Sequence, residues 1–178
     1  MNLSDKFYEK NYSIFSDTRF CVWDCVREFY ENFSKSSYIL DAGCGNGKNM
    51  DYLYKNEFNI VGIDNCLGLV NICKKKGFNV QNADIKNIPF DSNTFDFIMC
   101  IAVIHHLEKE SDRILAINEM FRVLKKGGKL ILTVWAFEYD SFSKKKNFKL
   151  GNNIVKFKNF DRYYYIYDES LFKNFINK

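Results

Sequence analysis

Three glycines and two acidic residues occur at the spacing of a nucleoside-binding site. The segment Asp41-Ala42-Gly43-Cys44-Gly45-Asn46-Gly47 follows a short apolar run, and Asp64 lies 17 residues beyond the last glycine. Glycine lacks a Cβ, so the backbone can turn sharply and approach a ligand closely. A carboxylate about 20 residues after such a loop can accept hydrogen bonds from ribose hydroxyls. A glycine loop alone is a weak signal, and the second acid is what indicates a nucleoside ligand.

The spacing of the glycines argues against a dinucleotide. Phosphate-binding loops follow Gly-x-Gly-x-x-Gly, whereas this loop is Gly-x-Gly-x-Gly with Asp41 ahead of it. An acid at that place repels a pyrophosphate and suits a cationic amino-acid ligand. A nicotinamide dehydrogenase is therefore the least favoured alternative.

The elements that would position these residues alternate between strands and helices. Hydrophobic runs predict strands at 38–40, 59–64, 78–82, 95–103 and 129–137. Helical spacing predicts helices around 22–33 and at 48–55, 67–76 and 108–126, and a last helix capped by Asp168. This order predicts one doubly wound α/β domain with a mainly parallel sheet, whose ligands bind at the carboxyl ends of the strands.

Length and composition fit a single globular domain over residues 1–178. Residues 1–37 are predicted to be a helical extension, and residues 138–162, which lack a clear period, an insertion after the fifth strand. A content of 47% hydrophobic and 27% charged residues excludes a disordered tail, and no apolar run is long enough to cross a membrane. The polar start at Met1 lacks the order of a secretion signal, which predicts a cytoplasmic protein.

Cysteine spacing and charge say little about partners. The six cysteines form no Cys-x-x-Cys pair, which favours buried free thiols over disulfides or a metal site. A net charge of +4 is too small to indicate a nucleic-acid partner alone. The lysine clusters at 74–76 and 144–146 are either solvated surface or contacts to phosphates.

The acid followed by Gly-x-Gly-x-Gly resembles the first motif of the class I methyltransferases, whose cofactor is S-adenosylmethionine. The resemblance implies a Rossmann-like fold and assigns one group of residues to each part of the cofactor. The methionine end falls to Asp41, Gly43, Gly45 and Gly47, the ribose to Asp64, the adenine to Asp84 and Ile85, and Ile101 is a further contact.

Four separated stretches are more closely similar to the eukaryotic wobble-uridine tRNA methyltransferases that esterify carboxymethyluridine. They are Tyr8 through Phe15-Ser16-Asp17-Thr18-Arg19 with Trp23, Gly43 through Lys48, Ile101 through His106, and Val134-Trp135-Ala136 with Arg162-Tyr163-Tyr164. The resemblance implies that the substrate is a tRNA anticodon loop. It implies catalytic roles for Arg19, His105, His106, Trp135 and Arg162, and substrate contacts at Tyr8, Arg19, Tyr163 and Tyr164.

The chemistry of that substrate explains these residue types. A carboxylate acceptor is already ionised near neutral pH, so no general base is needed and catalysis reduces to placement. Arginines can hold a carboxylate or phosphate in bidentate pairs, histidines can donate to it, and a tryptophan can stack on an unpaired base. The alternatives are surface ion pairs for the arginines, structural roles for the histidines and core packing for Trp135.

Three departures from the family pattern are present. Tyr165 stands where the family has a histidine, Val22 stands where it has a proline, and two further strands of the family are absent. The sheet is therefore predicted to have five strands and an edge near the fifth, unless the segment 154–160 covers it.

The resemblance also implies a partner, a small zinc-binding activator that would form a heterodimer along the edge of the third strand. Two other functions stay open. One is methylation of a small metabolite, which would need the same cofactor half, and the other is a methyltransferase-like subunit without activity.

Overall fold

The computed structural model describes residues 3–17, 22–30, 33–137, 148–157 and 160–177. Arg19, Cys21 and the lysine cluster at 144–146 lie outside the described residues, as does the first part of the predicted insertion, from 138 to 147. The five described cysteines are free, and four of them are buried. No described helix is long and apolar enough to cross a membrane.

Five parallel strands form the central sheet, in the order β3-β2-β1-β4-β5. They are β1 (Tyr38–Ala42), β2 (Asn59–Asp64), β3 (Val80–Asn82), β4 (Phe95–Ile101) and β5 (Leu124–Thr133). Strand order reverses between β1 and β4, and a crevice opens at such a point beyond the carboxyl ends of the strands. The expected doubly wound α/β fold is confirmed, and the glycine loop follows β1 at this position.

Helices cover both faces of the sheet. They are α1 (Leu3–Ser16), α2 (Asp24–Tyr30), α3 (Lys48–Lys55), α4 (Leu67–Lys75), α5 (Glu110–Val123) and α6 (Glu169–Ile176). Side chains of α2, α3 and α4 pack with Ile39 and Met99 on one face, while α5 and α6 pack with Leu40 and Ile98 on the other. Asp168 caps α6 as predicted, because its carboxylate accepts a hydrogen bond from the Leu171 amide at 2.6 Å.

The boundary between α5 and β5 differs from the prediction. The helix ends at Val123 and the strand begins at once with Leu124, which pairs with Phe95. The register then shifts before Phe97 pairs with Lys129, and Gly127 adopts a φ of 80° within the irregular segment. Gly127 and Gly128, which follow the helix predicted at 108–126, therefore lie within an irregular part of β5 and do not end α5. The third strand is also shorter than expected and begins at Val80.

The predicted insertion at 138–162 contains an antiparallel hairpin that extends past its expected end. β6 (Gly151–Phe157) pairs with β7 (Phe160–Ile166) in a separate two-stranded sheet. A parallel bridge joins Ala136 to Tyr167, so the chain after the hairpin rests beside the end of the fifth strand. Helix α1 lies against β7, where the Ser4 hydroxyl donates to the Tyr163 carbonyl at 3.1 Å.

Candidate active site

One cleft contains most of the residues singled out in the sequence. It has an empty volume of about 1090 Å³, including space open to solvent. Of the predicted site residues, it is lined by Tyr8, Gly43, Asp64, Asp84, Ile85, Ile101, His105, His106, Trp135, Arg162 and Tyr164. The floor comes from the strand ends and the walls from α1 and the hairpin, so both ends of the described chain contribute.

The glycine loop approaches the cleft in a conformation that requires glycine. Gly43 has a φ of 86°, and a Cβ added there would lie 2.4 Å from a methyl carbon of Val103. Gly47 has a φ of 76° and is closely covered by Phe78. Gly45 donates its amide hydrogen to Asp64 Oδ2 at 2.9 Å, which ties the loop to the end of β2. The loop and the second acid therefore form one unit, as their spacing predicted.

Two buried carboxyl groups lie beside this loop. Asp64 is 8% exposed, lines the cleft and accepts a second amide hydrogen bond from Cys66, and burial raises the pKa of its carboxyl. Asp41 is 1% exposed, and its Oδ2 has no hydrogen-bond partner among the described residues. Burial and the charge of Asp64 raise the pKa of Asp41 to about 8, an effect that the Lys48 ammonium opposes. A cationic ligand group near this pair would favour its ionised form.

The far end of the cleft is mixed in character. Ile85 and Ile101 are largely buried and offer apolar surface, whereas the side chain of Asp84 is 43% exposed and pairs with Lys86. An apolar wall, a buried acid and a glycine turn fit the base, the ribose and the polar tail of a nucleoside in that order. The residues present therefore fit a nucleoside that carries a cationic amino-acid group.

A hydrogen-bonded chain crosses from the hairpin to α1 through His106. Its Nδ1 lies 3.0 Å from the Tyr163 carbonyl oxygen, which can only accept, so Nδ1 carries the proton. Burial lowers the pKa of His106 to about 4, so the ring is neutral and its Nε2 accepts from the Tyr8 hydroxyl at 3.0 Å. Burial also raises the pKa of Tyr8, which keeps this phenol protonated. His106 thus orients Tyr8 at the cleft.

His105 is placed differently from its neighbour. It is fully buried, burial lowers its pKa, and neither ring nitrogen has a hydrogen-bond partner among the described residues. Its ring stacks on Tyr164 with an interplanar angle of 15°, and Trp135 lies 4.7 Å from Tyr164 between ring centroids. Two aromatic rings and a histidine with free ring nitrogens therefore form the wall of the cleft after β4 and β5.

Arg162 carries a positive charge into this wall. Its side chain is 5% exposed, and its guanidinium lies over the rings of Phe7, Phe157 and Tyr164 at 4.7, 5.0 and 5.2 Å from their centroids. The described residues include no carboxylate within ion-pair distance of it, and Nε has no hydrogen-bond partner. A buried guanidinium of this kind is a strong site for an anion, because binding one compensates the charge.

Strand alternation divides β7 into two sets of side chains. Arg162 and Tyr164 face the cleft, but Tyr163 does not line it, and its hydroxyl donates to the Glu108 carbonyl at 3.2 Å. Tyr165 likewise points away, and its ring lies 4.0 Å from the Arg113 guanidinium. The structure therefore does not support a stacking role for Tyr163, and the family histidine replaced by Tyr165 stands at a position turned away from the cleft.

Several lining residues were not singled out in the sequence. Ser4 and Asp5 come from α1, and Lys48 and Asn49 begin α3 directly after the glycine loop. Their place next to Gly47 was a usable signal, since the first turn of a helix after such a loop faces the ligand. The helical extension predicted at 1–37 includes α1, but the polar start of the chain gave no signal that Ser4 and Asp5 line the cleft. Three of the predicted cofactor contacts, Asp41, Gly45 and Gly47, lie beneath or beside the cleft surface, and Arg19 is outside the described residues.

A family model described as a methyltransferase domain matches residues 40–132, which is more than half of the chain. This chain belongs to the methyltransferase-domain family. The match begins just before the glycine loop and ends within β5, so the methyltransferase domain supplies the floor of the cleft. Tyr8, Trp135, Arg162 and Tyr164 lie outside the matched span.

Two curated relatives of this methyltransferase are named tRNA (carboxymethyluridine(34)-5-O)-methyltransferase. The Arabidopsis thaliana protein is 45% identical over 130 residues, which cover 72% of this chain and 31% of the relative. The Schizosaccharomyces pombe protein is 41% identical over 131 residues, which cover 74% of this chain and 56% of the relative. The chain thus spans about a third to a half of the length of these relatives.

Solved structures agree on the fold of the methyltransferase. A crystal structure of a SAM-dependent methyltransferase from Methanosarcina mazei superposes with a TM-score of 0.74 at 18% identity, covering 88% of this chain and 83% of the other. At this identity the likeness establishes the Rossmann-like architecture alone.

Proposed function

We propose that this chain uses S-adenosylmethionine to methylate the carboxylate of carboxymethyluridine at the wobble position of tRNA. The observation that carries the proposal is the buried Arg162 guanidinium, which lies at the cleft without a carboxylate partner among the described residues. A substrate carboxylate would supply the missing negative charge. The names of relatives at about 40% identity support the same acceptor.

The floor of the cleft would hold the cofactor. Asp64 would accept hydrogen bonds from the ribose hydroxyls, Ile85 and Ile101 would contact the adenine, and Gly43 would allow close approach of the backbone. The cofactor supplies an electrophilic methyl group on a sulfonium. Asp41 would then sit beneath a cationic ligand, and its charge would contribute to selection of that ligand over a pyrophosphate.

The wall of the cleft would place the acceptor. Arg162 would hold one carboxylate oxygen, or both in a bidentate pair, so that an oxygen faces the methyl group at about 3–3.5 Å. His105 would donate a hydrogen bond from whichever ring nitrogen carries the proton, and Tyr8, oriented by His106, would donate or accept beside it. No proton has to be removed, because a carboxylate is ionised at neutral pH. The neutral histidines are compatible with this, since neither is required as a base.

Two aromatic side chains would hold the base itself. Trp135 and Tyr164 lie side by side at the cleft, and anticodon bases are read single-stranded by stacking on such rings. Burial among rings also excludes water, which would otherwise shield the carboxylate. Arg19 is proposed as a second anion contact on the basis of the resemblance.

The test is mass spectrometry of nucleosides from tRNA that carries carboxymethyluridine, after incubation with the enzyme and a cofactor labelled on its methyl group. The expected product is the labelled methyl ester of that nucleoside alone. Label that appears on another nucleoside or on no nucleoside, while a small metabolite becomes labelled, contradicts the proposal and favours metabolite methylation. A chain that binds the cofactor but transfers no label in the presence of its activator would be a subunit without activity.

We also propose that a small zinc-binding activator extends the sheet along β3. This strand is the terminal strand of the sheet and pairs with β2 alone among the described strands, and the exposed ring of Tyr54 lies beside it against Phe78. Asn82→Pro would remove a hydrogen-bond donor from that edge and should abolish copurification with the activator. Copurification that survives Asn82→Pro would place the partner elsewhere. A cytoplasmic location stays a prediction.

A further inference from the structure

The lysine cluster at 74–76 divides into two parts in the structure. Lys76 turns inward, and its ammonium donates to the Asn46 carbonyl at 2.8 Å. Lys74 and Lys75 are exposed, and neither forms an ion pair with a described residue. Both lie in the last turn of α4, where the helix dipole favours a cation. That preference explains a basic residue at this place, but it does not explain the surface beside the two lysines.

A groove between α1 and α4 lies next to Lys74 and Lys75. It has an empty volume of about 770 Å³, including space open to solvent. It is lined by Tyr12 from α1 and by Gly68, Asn71, Ile72, Lys74 and Lys75 from α4. The lining thus contains two ammonium groups and no carboxylate. Charges of one sign along a concave surface raise the local potential, so this groove attracts an anion.

The ring of Tyr12 is fitted into the groove by a glycine. A Cβ added at Gly68 would lie 2.4 Å from a ring carbon of Tyr12, so a side chain at this position would displace the ring. The tyrosine is nevertheless 38% exposed. Proteins bind single-stranded nucleic acid with exposed aromatic rings, on which bases stack, and with lysines, which contact phosphates. The groove combines both kinds of group.

The same two helices border the groove and the cleft. Tyr8 of α1 and Leu69 of α4 line the cleft, whereas Tyr12 and Gly68 of the same helices line the groove. A nucleotide held in the cleft belongs to a continuous chain, so its neighbours must lie at the rim of the cleft. The position of the groove at this rim favours an RNA backbone over a separate small anion.

We propose that the groove between α1 and α4 binds the sugar–phosphate backbone of the tRNA anticodon arm beside the wobble nucleotide. Lys74 and Lys75 contact phosphates, and Tyr12 stacks on a flanking base. Contacts of this kind set affinity and orientation and carry no sequence information themselves. The identity of the RNA rests on the proposed function, and the groove adds the surface that holds this RNA outside the cleft.

The experiment measures how the affinity for RNA depends on salt. The ligand is a fluorescently labelled anticodon stem-loop without the carboxymethyl group, so its binding does not depend on the acceptor. The variants are Tyr12→Leu and the double variant Lys74→Met/Lys75→Met. The matched control is Lys126→Met/Lys129→Met, which removes the same two charges from exposed lysines of β5. Calorimetry with S-adenosylhomocysteine and methyl transfer to tRNA carrying carboxymethyluridine are measured on each protein.

Lys74→Met/Lys75→Met should weaken binding of the stem-loop about tenfold or more at low salt, and should make the slope of log affinity against log salt shallower by about 1.4–1.8. Tyr12→Leu should weaken binding about fivefold or more and leave the slope unchanged, because stacking is not ionic. Affinity for S-adenosylhomocysteine and kcat at saturating tRNA should stay within about twofold of wild type. The control variant should match the wild type in affinity and slope.

The outcomes separate the groove from the function. A wild-type chain that binds no tRNA and transfers no methyl group overturns the proposed function and the groove with it. Normal methyl transfer by the wild type, with equal salt slopes in the Lys74→Met/Lys75→Met and control variants, overturns the groove alone. A matching loss of S-adenosylhomocysteine binding would mean that the lysines only support α4, which also overturns the proposal. Loss of copurification with the activator would assign the groove to that protein instead of RNA.

Discussion

Replacing the buried arginine of the cleft should separate activity from stability. Arg162→Met keeps an unbranched side chain among the rings of Phe7, Phe157 and Tyr164 but removes the charge. Two charge-assisted hydrogen bonds to a substrate carboxylate would be lost, each about 1.5–3 kcal/mol. We therefore expect kcat/KM for tRNA to fall roughly 10²- to 10⁴-fold, at about 1.4 kcal/mol for each factor of ten.

The same change should not weaken the fold. Replacing buried charged groups by apolar side chains of similar volume is often neutral or stabilises a protein by about 1–4 kcal/mol. The loss of the buried cation–π contacts with three rings, worth about 2 kcal/mol when desolvated, offsets much of this gain. The thermal midpoint should therefore stay the same or rise by a few degrees, since about 1 kcal/mol corresponds to roughly 2–4 °C in a domain of this size.

The assay combines methyl transfer to tRNA, calorimetric binding of S-adenosylhomocysteine and thermal unfolding. Arg122→Met is the matched control, because Arg122 pairs with Glu119 and donates to the carbonyls of Ile88 and Phe90. That variant should lose stability and keep normal turnover per folded molecule. Arg162→Met with turnover within threefold of wild type would refute the role of Arg162, and a large loss of stability would refute the view that its charge is uncompensated in the free protein.

Other predictions concern the floor and the histidines. Asp64→Asn should weaken S-adenosylhomocysteine about 10- to 100-fold in a calorimetric titration, because an amide replaces an acceptor of the ribose hydroxyls, and unchanged affinity would contradict the ribose assignment. Gly43→Ala should lower the free energy of unfolding by about 1–3 kcal/mol in urea, since its φ is 86° and its Cβ would meet Val103, and a neutral effect would be inconsistent with the loop geometry. Burial lowers the pKa of His106 to about 4 from 6.5, so the unfolded chain binds a proton first as pH falls. Stability should be complete above pH 6.5 and fall by roughly 3 kcal/mol toward pH 4, and a His106→Gln variant with the same pH dependence would exclude this histidine as a cause.

The sheet could be predicted because its signals are local. β1, β2 and β4 are short apolar runs that end in turn or loop residues, and a strand buried on both faces needs little else. The glycine loop and Asp64 could be predicted equally well, because the glycines indicate the turn and their spacing to Asp64 is visible in the sequence. Even the cap at Asp168 follows from one side chain and one amide.

The walls of the cleft were harder because they depend on contacts distant in sequence. Helix α1 buries Ser4, Phe7 and Asn11, only one of which is apolar, and it is kinked at Asn11, so its apolar period is weak. Strand β7 is buried on both faces, with Tyr163 on one and Tyr164 on the other, which removes the alternation expected of a hairpin. Helix α1 and strand β7 stabilise each other, so the sequence pattern of either element alone does not predict its position.

The packing of α1 on the hairpin has a consequence for synthesis. Ser4 and Tyr163 are hydrogen-bonded although they lie 159 positions apart in the chain. A ribosome makes α1 first, and the contact of this helix with the hairpin can form only after all five strands of the sheet have been translated. During that interval the strands can already pair and present the glycine loop. A chain interrupted before the hairpin would therefore keep the glycine loop and Asp64 but lack Arg162 and Tyr164 of the cleft.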